Sequence, residues 1–213
     1  NTGGMGSYSC EDHLLPFLTE EEMEKAHGYN KKTIATIEKE TGQQYKGILY
    51  GGFMATKNGV KIVEYNARFG DPETMNALPI LETDFFEIVQ AICNGTLKEI
   101  KTKITFANKA TVCKYVVPEG YPDNPTKNEK IALGLVPQNV KAYFAAVDER
   151  EDGLYMTGSR AMAFTGIAES LEEAEKAAEF AASQVKGRVF HRRDIGTKEL
   201  VEKRIRFMQL LRG

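Results

Sequence analysis

Val63-Glu64-Tyr65-Asn66-Ala67-Arg68-Phe69-Gly70-Asp71-Pro72-Glu73 carries more information about this chain than any other segment. It follows Asn58-Gly59, a strong short-range hairpin signal, and two β-rich runs flank that pair at 45–57 and 60–68. On an extended strand alternate residues share a face, so Glu64, Asn66 and Arg68 project together, each about 7 Å from the next. Val63, Tyr65 and Ala67 then take the opposite face, where they are expected in a core. With Asn58-Gly59 as a two-residue turn, Asn66 falls opposite Gly51, Glu64 opposite Phe53 and Arg68 opposite Leu49. Gly51 beside Asn66 is expected to leave room for a bulky group such as a phosphate chain. A carboxylate, an amide oxygen and a guanidinium in line suit a metal-bound triphosphate. Mg²⁺ takes hard oxygen ligands at about 2.1 Å, and Arg offers a planar fork to a phosphoryl group. The same periodicity fits a solvated sheet face, because polar-outward alternation is the default for half-buried strands. Spacing alone leaves both readings open.

Around the hairpin, the helix signals are local. Thr19 with Glu22 forms a capping box that opens a helix to about Glu40, stopped by Gly42. Asp84 with Glu87 starts another, ended by Gly95. Residues 1–16, with Gly3, Gly4 and Gly6, read as a loop. Near residue 106 the texture changes. A β-rich run at 110–117 is followed by a Gly/Pro/Asn loop at 118–128, then by strand candidates at 140–147, 154–158 and 160–165. Ser170 with Glu173 caps a helix whose apolar face is Ala174, Ala177, Ala178, Ala181 and Val185, with Gly187 as its end. A final amphipathic helix occupies 197–211. The pattern predicts an α+β fold with one unit over 1–106 and a smaller α+β domain over 107–213.

Bulk properties narrow the partners. A formal net charge of −2 argues against a nucleic-acid surface, which needs a Lys/Arg excess. No apolar run approaches the roughly 18 residues needed to span a bilayer, so no membrane partner is expected. Cys10, Cys93 and Cys113 show no metal-ligand spacing and read as free thiols of a reducing cytoplasm. His13, His27 and His191 are too dispersed in sequence to suggest a site, and no Walker A loop or GxSxG pattern occurs. The opening Asn1-Thr2-Gly3-Gly4-Met5-Gly6 has neither a start Met nor signal-peptide character, which predicts a chain cut from something longer.

Glu64-x-Asn66-x-Arg68 at the end of a hairpin resembles the metal-and-phosphate strand of the ATP-grasp superfamily. The longer string from Glu64 to Glu73 resembles the glycinamide ribonucleotide synthetase (phosphoribosylamine–glycine ligase) family. The opening Asn1-Thr2-Gly3-Gly4-Met5-Gly6-Ser7-Tyr8-Ser9, Tyr45-Lys46-Gly47-Ile48-Leu49-Tyr50-Gly51-Gly52, and Arg192-Arg193-Asp194-Ile195-Gly196 match it in the same order. The resemblance implies the C-terminal half of an ATP-grasp domain, an antiparallel sheet with helices, followed by a smaller α+β domain. It implies ligation of glycine to 5-phosphoribosylamine through a glycyl phosphate, in purine biosynthesis, with ATP and Mg²⁺ (or Mn²⁺) as cofactors. The adenine hinge, lid and phosphate-binding lysine precede the first residue in that family, so the missing N-terminal part of the same enzyme is implied as a partner. The chain alone is then expected to be inactive.

Residue by residue, the resemblance makes Glu64 and Asn66 the metal ligands and joins Arg68 to them at the nucleotide phosphates. Arg68, on the transferring phosphoryl group, and Asp71, near glycine's ammonium, take the catalytic roles. Gly3, Gly4, Met5, Gly6, Asp71, Glu73 and Arg160 are implied at the acceptor substrates, with Arg160 where related enzymes hold a ribose 5-phosphate. Asp71-Pro72-Glu73 also reads as a plain turn, Arg160 as a surface hairpin arginine, and Arg192 and Arg193 as anion contacts or as partners of Asp194. Many ATP-grasp enzymes carry a further acidic ligand on the preceding strand. Here Phe53, expected opposite Glu64, is flanked by Gly52 and Met54, so that ligand is absent. Two rivals remain: a purine-pathway ATP-grasp ligase with another acceptor, and a non-catalytic fragment acting as a binding module.

Overall fold

A computed structural model describes residues 4–213; Asn1, Thr2 and Gly3, the last an expected acceptor-site glycine, lie outside the described residues. In chain order the strands are β1 (Gly6–Ser9), β2 (Tyr50–Thr56), β3 (Gly59–Asn66), β4 (Ala110–Pro118), β5 (Lys130–Ile131), β6 (Val140–Phe144), β7 (Val147–Arg150), β8 (Gly153–Met156), β9 (Met162–Ala168) and β10 (Val189–His191). The helices are α1 (Glu20–Thr41), α2 (Thr74–Ala77), α3 (Phe85–Asn94), α4 (Leu97–Ile100), α5 (Leu171–Ser183) and α6 (Lys198–Arg212). The fold class is α+β with antiparallel sheets. Two compact units share the chain discontinuously. The first takes residues up to 13, 71–80 and 108–201; the second takes 14–70, 81–107 and 202–213. The break read near residue 106 falls beside one of these crossings.

The first unit is built around β4, whose nine residues are all buried. Its Val, Tyr and Thr side chains suit a pleated, fully covered strand. The sheet order is β1-β4-β9-β6, and β10 lies beyond β1 along the same edge of β4: β1 pairs with Thr111–Lys114 and β10 with Val116–Pro118. Ser170 caps α5, and Ala174, Ala178, Ala181 and Ala182 face the sheet with almost no exposure. A small three-stranded sheet, β5-β8-β7, completes the unit. The first sixteen residues are not simply a loop. Gly6–Ser9 becomes a strand because β4 offers its backbone a free edge, and a distant edge leaves no mark in local sequence. The run at 140–147 splits into the whole of β6 and the start of β7, and α5 stops at Gln184 instead of Gly187.

The second unit starts with α1, where the Glu22 amide donates to Thr19 Oγ1 at 3.2 Å and the Thr19 amide donates to Glu22 Oε2 at 2.9 Å. Gly42, left-handed, closes it as expected. The hairpin register differs from the sequence reading. Thr56 pairs with Gly59, so the turn residues are Lys57 and Asn58, and Gly59 at φ +85° takes the left-handed position after them. A bulge then intervenes: Phe53 pairs with Ile62, Gly52 with Glu64, and Val63 has no opposite residue. Gly52 therefore opposes Glu64, and Tyr50 opposes Asn66. Val63, expected in a core, is 61% exposed because the bulge turns it outward. Gly51 is not open space either. A Cβ there would meet the Phe53 ring at 2.6 Å and Asn30 Oδ1 at 2.7 Å. Phe53 stacks on Tyr29 (6.3 Å) and meets Tyr65 edge-on (6.1 Å), so this face belongs to α1.

Candidate functional site

In the second unit the polar ladder forms at the end of β3. Tyr65 turns toward α1, where its hydroxyl meets Thr33 Oγ1 at 3.1 Å, and the two-residue period sends Glu64 and Asn66 to the other face. Asn66 Nδ2 donates to Glu64 Oε1 at 3.1 Å, and Arg68 Nη2 donates to Asn66 Oδ1 at 3.4 Å. The three residues are thus brought together, although the strand ends at Asn66 and Arg68 stands just beyond it, braced by its own Nη1 on the Phe69 carbonyl at 2.7 Å. Glu64 and Arg68 are exposed and Asn66 is half-buried, so all three face solvent and not a core. Gly52 opposite Glu64 carries no side chain; a Cβ would lie 3.3 Å from Glu64 Cγ. The donor set of one carboxylate and one amide oxygen fits Mg²⁺, which prefers a few protein oxygens plus phosphate and water. Among the described residues no group of three or more His, Cys, Asp or Glu converges as a metal cluster.

In the first unit a second cluster joins residues from four distant segments, at Gly4, Asp71, Tyr115 and Arg160. Arg160 grips Asp71 as a fork, Nη2 to Oδ2 at 2.6 Å and Nη1 to Oδ1 at 3.2 Å, and its Nη1 also donates to the Gly4 carbonyl at 3.0 Å. The guanidinium lies over the Tyr115 ring, 4.5 Å from its centroid, and the Tyr115 hydroxyl donates to Asp71 Oδ1 at 3.0 Å. Burial first, and then the Asp71 charge, push the Tyr115 pKa well up, so the phenol keeps its proton as donor. Gly4, Asp71 and Arg160 are therefore neighbours. Met5 is not available as a ligand side chain: it is 3% exposed in the core, and its carbonyl accepts from the Tyr115 amide at 2.9 Å. Gly6 is pressed on the Cys113 carbonyl. Glu73 precedes α2, and no side-chain cap bond anchors it there.

Residues absent from the sequence reading hold this cluster. Asn76, 5% exposed, donates from Nδ2 to the Thr111 carbonyl at 3.1 Å and to Thr111 Oγ1 at 3.0 Å, while the Ser7 hydroxyl donates to Asn76 Oδ1. This ties the segment after Pro72 to β1 and β4. Tyr115 was not singled out within the β-rich run at 110–117, and only the fold shows its hydroxyl at Asp71. Arg192 pairs with Asp194, as the pairing reading had it, whereas Arg193 lies 3.6 Å from Glu179 instead.

Comparison with known proteins adds an independent line. The family model described as "Phosphoribosylglycinamide synthetase, ATP-grasp (A) domain" matches residues 1–74, and the one described as "Phosphoribosylglycinamide synthetase, C domain" matches 111–198. A Methanocaldococcus jannaschii protein named phosphoribosylamine–glycine ligase is 55% identical over 99% of this chain and 48% of its own length. A Pyrococcus furiosus protein of the same name is 50% identical over 100% of this chain and 47% of its own. The chain spans about half the length of the curated relatives it matches. The crystal structure of a Thermotoga maritima phosphoribosylamine–glycine ligase superposes with a TM-score of 0.75 at 32% identity, covering 92% of this chain and 47% of that one. A biotin carboxylase domain from Hydrogenobacter thermophilus, solved with MgADP, superposes at 0.57 and 19% identity over 91% of this chain and 40% of that one, a likeness of fold alone. Among the described residues no helix is long and apolar enough to cross a membrane.

Proposed function

Because the chain belongs to the phosphoribosylglycinamide synthetase family, with its ATP-grasp and C domains matched in order, we propose that it supplies part of the active site of an ATP-dependent phosphoribosylamine–glycine ligase. Residues 1–106 are read as the C-terminal half of the ATP-grasp domain and 107–213 as the C-terminal domain. The remainder of the site, including the adenine contacts, belongs to residues outside this chain, as the half-length match to its relatives suggests. ATP and Mg²⁺, or Mn²⁺, are the cofactors, and the cytoplasm is the setting in which both acceptor substrates would be met. The observation that carries the reading is the Glu64–Asn66–Arg68 ladder, which only Phe69 and Gly70 separate in the chain from the Arg160-clamped Asp71.

In this reaction a glycine carboxylate oxygen attacks the γ-phosphorus of ATP and ADP departs, leaving glycyl phosphate. The amine of phosphoribosylamine then attacks the acyl carbon, and phosphate leaves with that oxygen while the nitrogen loses a proton. Glu64 and Asn66 would hold Mg²⁺, which would supply neutralisation of phosphate charge. Arg68 directs its fork at the transferring phosphoryl oxygens, where developing charge is worth most to stabilise. Asp71 receives the glycine ammonium. Each carboxylate oxygen has two acceptor sites, so Oδ2, which accepts from Arg160 Nη2, keeps capacity for a substrate N–H. Among the described residues nothing accepts from Arg160 Nε, which is then offered to a 5-phosphate oxygen. Gly4, Met5 and Gly6 present backbone to the acceptor, and Glu73 adds negative charge beyond Asp71.

The test joins this chain to the upstream half of the Methanocaldococcus jannaschii relative and follows product by mass spectrometry. Glycinamide ribonucleotide formed only with glycine, phosphoribosylamine and MgATP together is expected. Equal turnover of another carboxylate would favour the rival ligase, and a folded chimera without product would favour the binding module.

A further inference from the structure

Lys114 is among the largest side chains that the fold buries completely. It stands mid-way along β4, opposite Gly6 of β1, and its ammonium has three hydrogens and three acceptors: Glu175 Oε1 at 2.5 Å, Glu179 Oε2 at 2.8 Å and the Arg193 carbonyl at 2.8 Å. Burying a charge is costly unless it is paired and fully hydrogen-bonded. A Leu or Met at this position would fill the same space without that demand, so packing does not account for a lysine here. Glu179 is itself surrounded. It also accepts from Ser183 Oγ at 3.1 Å, meets His191 Nε2 at 3.1 Å and lies 3.6 Å from Arg193 Nε. Among the described residues, the Lys114 ammonium is the hydrogen-bond partner of Glu175.

The third acceptor is the informative one. The Arg193 carbonyl belongs to the turn Arg192–Gly196, which closes with the Thr197 amide donating to the Asp194 carbonyl at 3.2 Å. Past that carbonyl the chain lies directly on the β1–β4 pair. Ile195 is 5% exposed, with its Cδ1 2.8 Å from where a Cβ on Gly6 would stand, and a Cβ on Gly196 would meet Val112 Cγ1 at 2.8 Å. The path from the ammonium to the glycine segment is therefore short: Lys114, the Arg193 carbonyl, Ile195, Gly6. Two residues before Gly6, the Gly4 carbonyl is the one that Arg160 holds beside Asp71. The segment is clamped at Gly4 by Arg160 and walled at Gly6 by Ile195.

We propose that Lys114, with Glu175 and Glu179, is a positioning residue for the Gly4–Gly6 segment: it pins the Arg192–Gly196 turn whose Ile195 sets the wall against which that segment is held for the acceptor substrate. The functional half of this rests on the ligase reading; the structural half does not. The charge-balanced variant Lys114→Met/Glu175→Leu removes the ammonium and the carboxylate that depends on it, and leaves Glu179 with Ser183, His191 and Arg193. In the chimeric ligase this variant raises KM for phosphoribosylamine about 10- to 100-fold, the range for misplacing a substrate-holding element by about an ångström, with KM for ATP unchanged. In the 213-residue chain the same variant speeds amide exchange at Gly6 and Ser7, while exchange at β9 residues such as Phe164 stays as in the parent. If the KM for phosphoribosylamine and the Gly6–Ser7 exchange both match the parent in a folded variant, the proposal is overturned. If the parent chimera makes no product while the exchange difference appears, the ligase reading fails and the positioning of the segment stands. Lys114→Met alone is the harsher control, expected to lower the melting temperature because Glu175 is then left unpaired.

Discussion

Replacing Arg160 by Met keeps a long apolar stem over Tyr115 and removes the guanidinium. What is lost can be worked from its contacts. The fork to Asp71 is charge-assisted, and such bonds contribute about 1.5–3 kcal/mol when shielded. Arg160 is 23% exposed and Asp71 43% exposed, so water recovers much of this, and about 1 kcal/mol for the pair is the appropriate scale. The bond to the Gly4 carbonyl adds about 1 kcal/mol, and the cation over the Tyr115 ring about 0.5–1 kcal/mol. The sum is about 2.5–3 kcal/mol. At about 2–4 °C per kcal/mol for a chain of this size, the melting temperature should fall by about 5–12 °C. A double-mutant cycle with Asp71→Asn isolates the ion pair, since the substituted amide oxygen can still accept from Tyr115, and the coupling energy should be about 1 kcal/mol. Urea midpoints of the four proteins give the numbers. A coupling energy near zero would mean that Arg160 and Asp71 are solvated independently, and the clamp on which the acceptor site is argued would fall with it.

Glu64→Gln in the chimeric ligase should lower kcat by about 10²–10³, the scale for losing one electrostatic transition-state contact, while the apo melting temperature hardly moves because Glu64 is exposed; near-normal turnover would assign it a surface role. Burial raises the thiol of Cys10 to about 11 and that of Cys113 to about 12, whereas Cys93 is exposed. At neutral pH a maleimide should label Cys93 quickly and the other two only on unfolding, which peptide mapping reads directly. Burial tends to raise the Glu179 pKa, but hydrogen bonds from Lys114 and His191 outweigh it, so the net shift is downward. A depressed carboxyl stabilises the fold above its unfolded value and loses that contribution as pH falls through the folded one. Stability should therefore drop below the ordinary glutamate value of 4.5, and Glu179→Gln should flatten that slope in urea titrations.

The parts legible in the sequence are those whose causes are local. Thr19 and Glu22 satisfy each other's backbone within one turn, and Gly42 and Gly95 end helices through their own conformational freedom, so caps and stops read correctly. The common face of Glu64 and Asn66 follows from the two-residue period of any strand. The register did not follow, because Asn-Gly can seat a turn in more than one way and because the bulge at Val63 depends on how Phe53 packs against Tyr29 and Tyr65. That packing also fills the space which Gly51 alone seemed to offer a phosphate. Strand β1 was illegible for a related reason: four residues after a glycine-rich start extend only because β4, more than a hundred residues later, has an edge to pair. Arg160, Tyr115 and Lys114 show the same limit at the site. Each could be named as a residue type suited to anions, packing or surface, but what each one holds is set by partners 44 to 156 positions away.

If the ligase reading holds, the glycine carboxylate is phosphorylated at a site that needs Glu64. Glycine labelled with heavy oxygen in its carboxylate, supplied to the chimeric ligase with MgATP and phosphoribosylamine, decides this by mass spectrometry of the released phosphate. One labelled oxygen should appear in phosphate for each glycinamide ribonucleotide formed, and both signals should fall together in Glu64→Gln. Label found in AMP or water instead of phosphate, or label transfer undiminished without the Glu64 carboxylate, would show that the chemistry runs elsewhere.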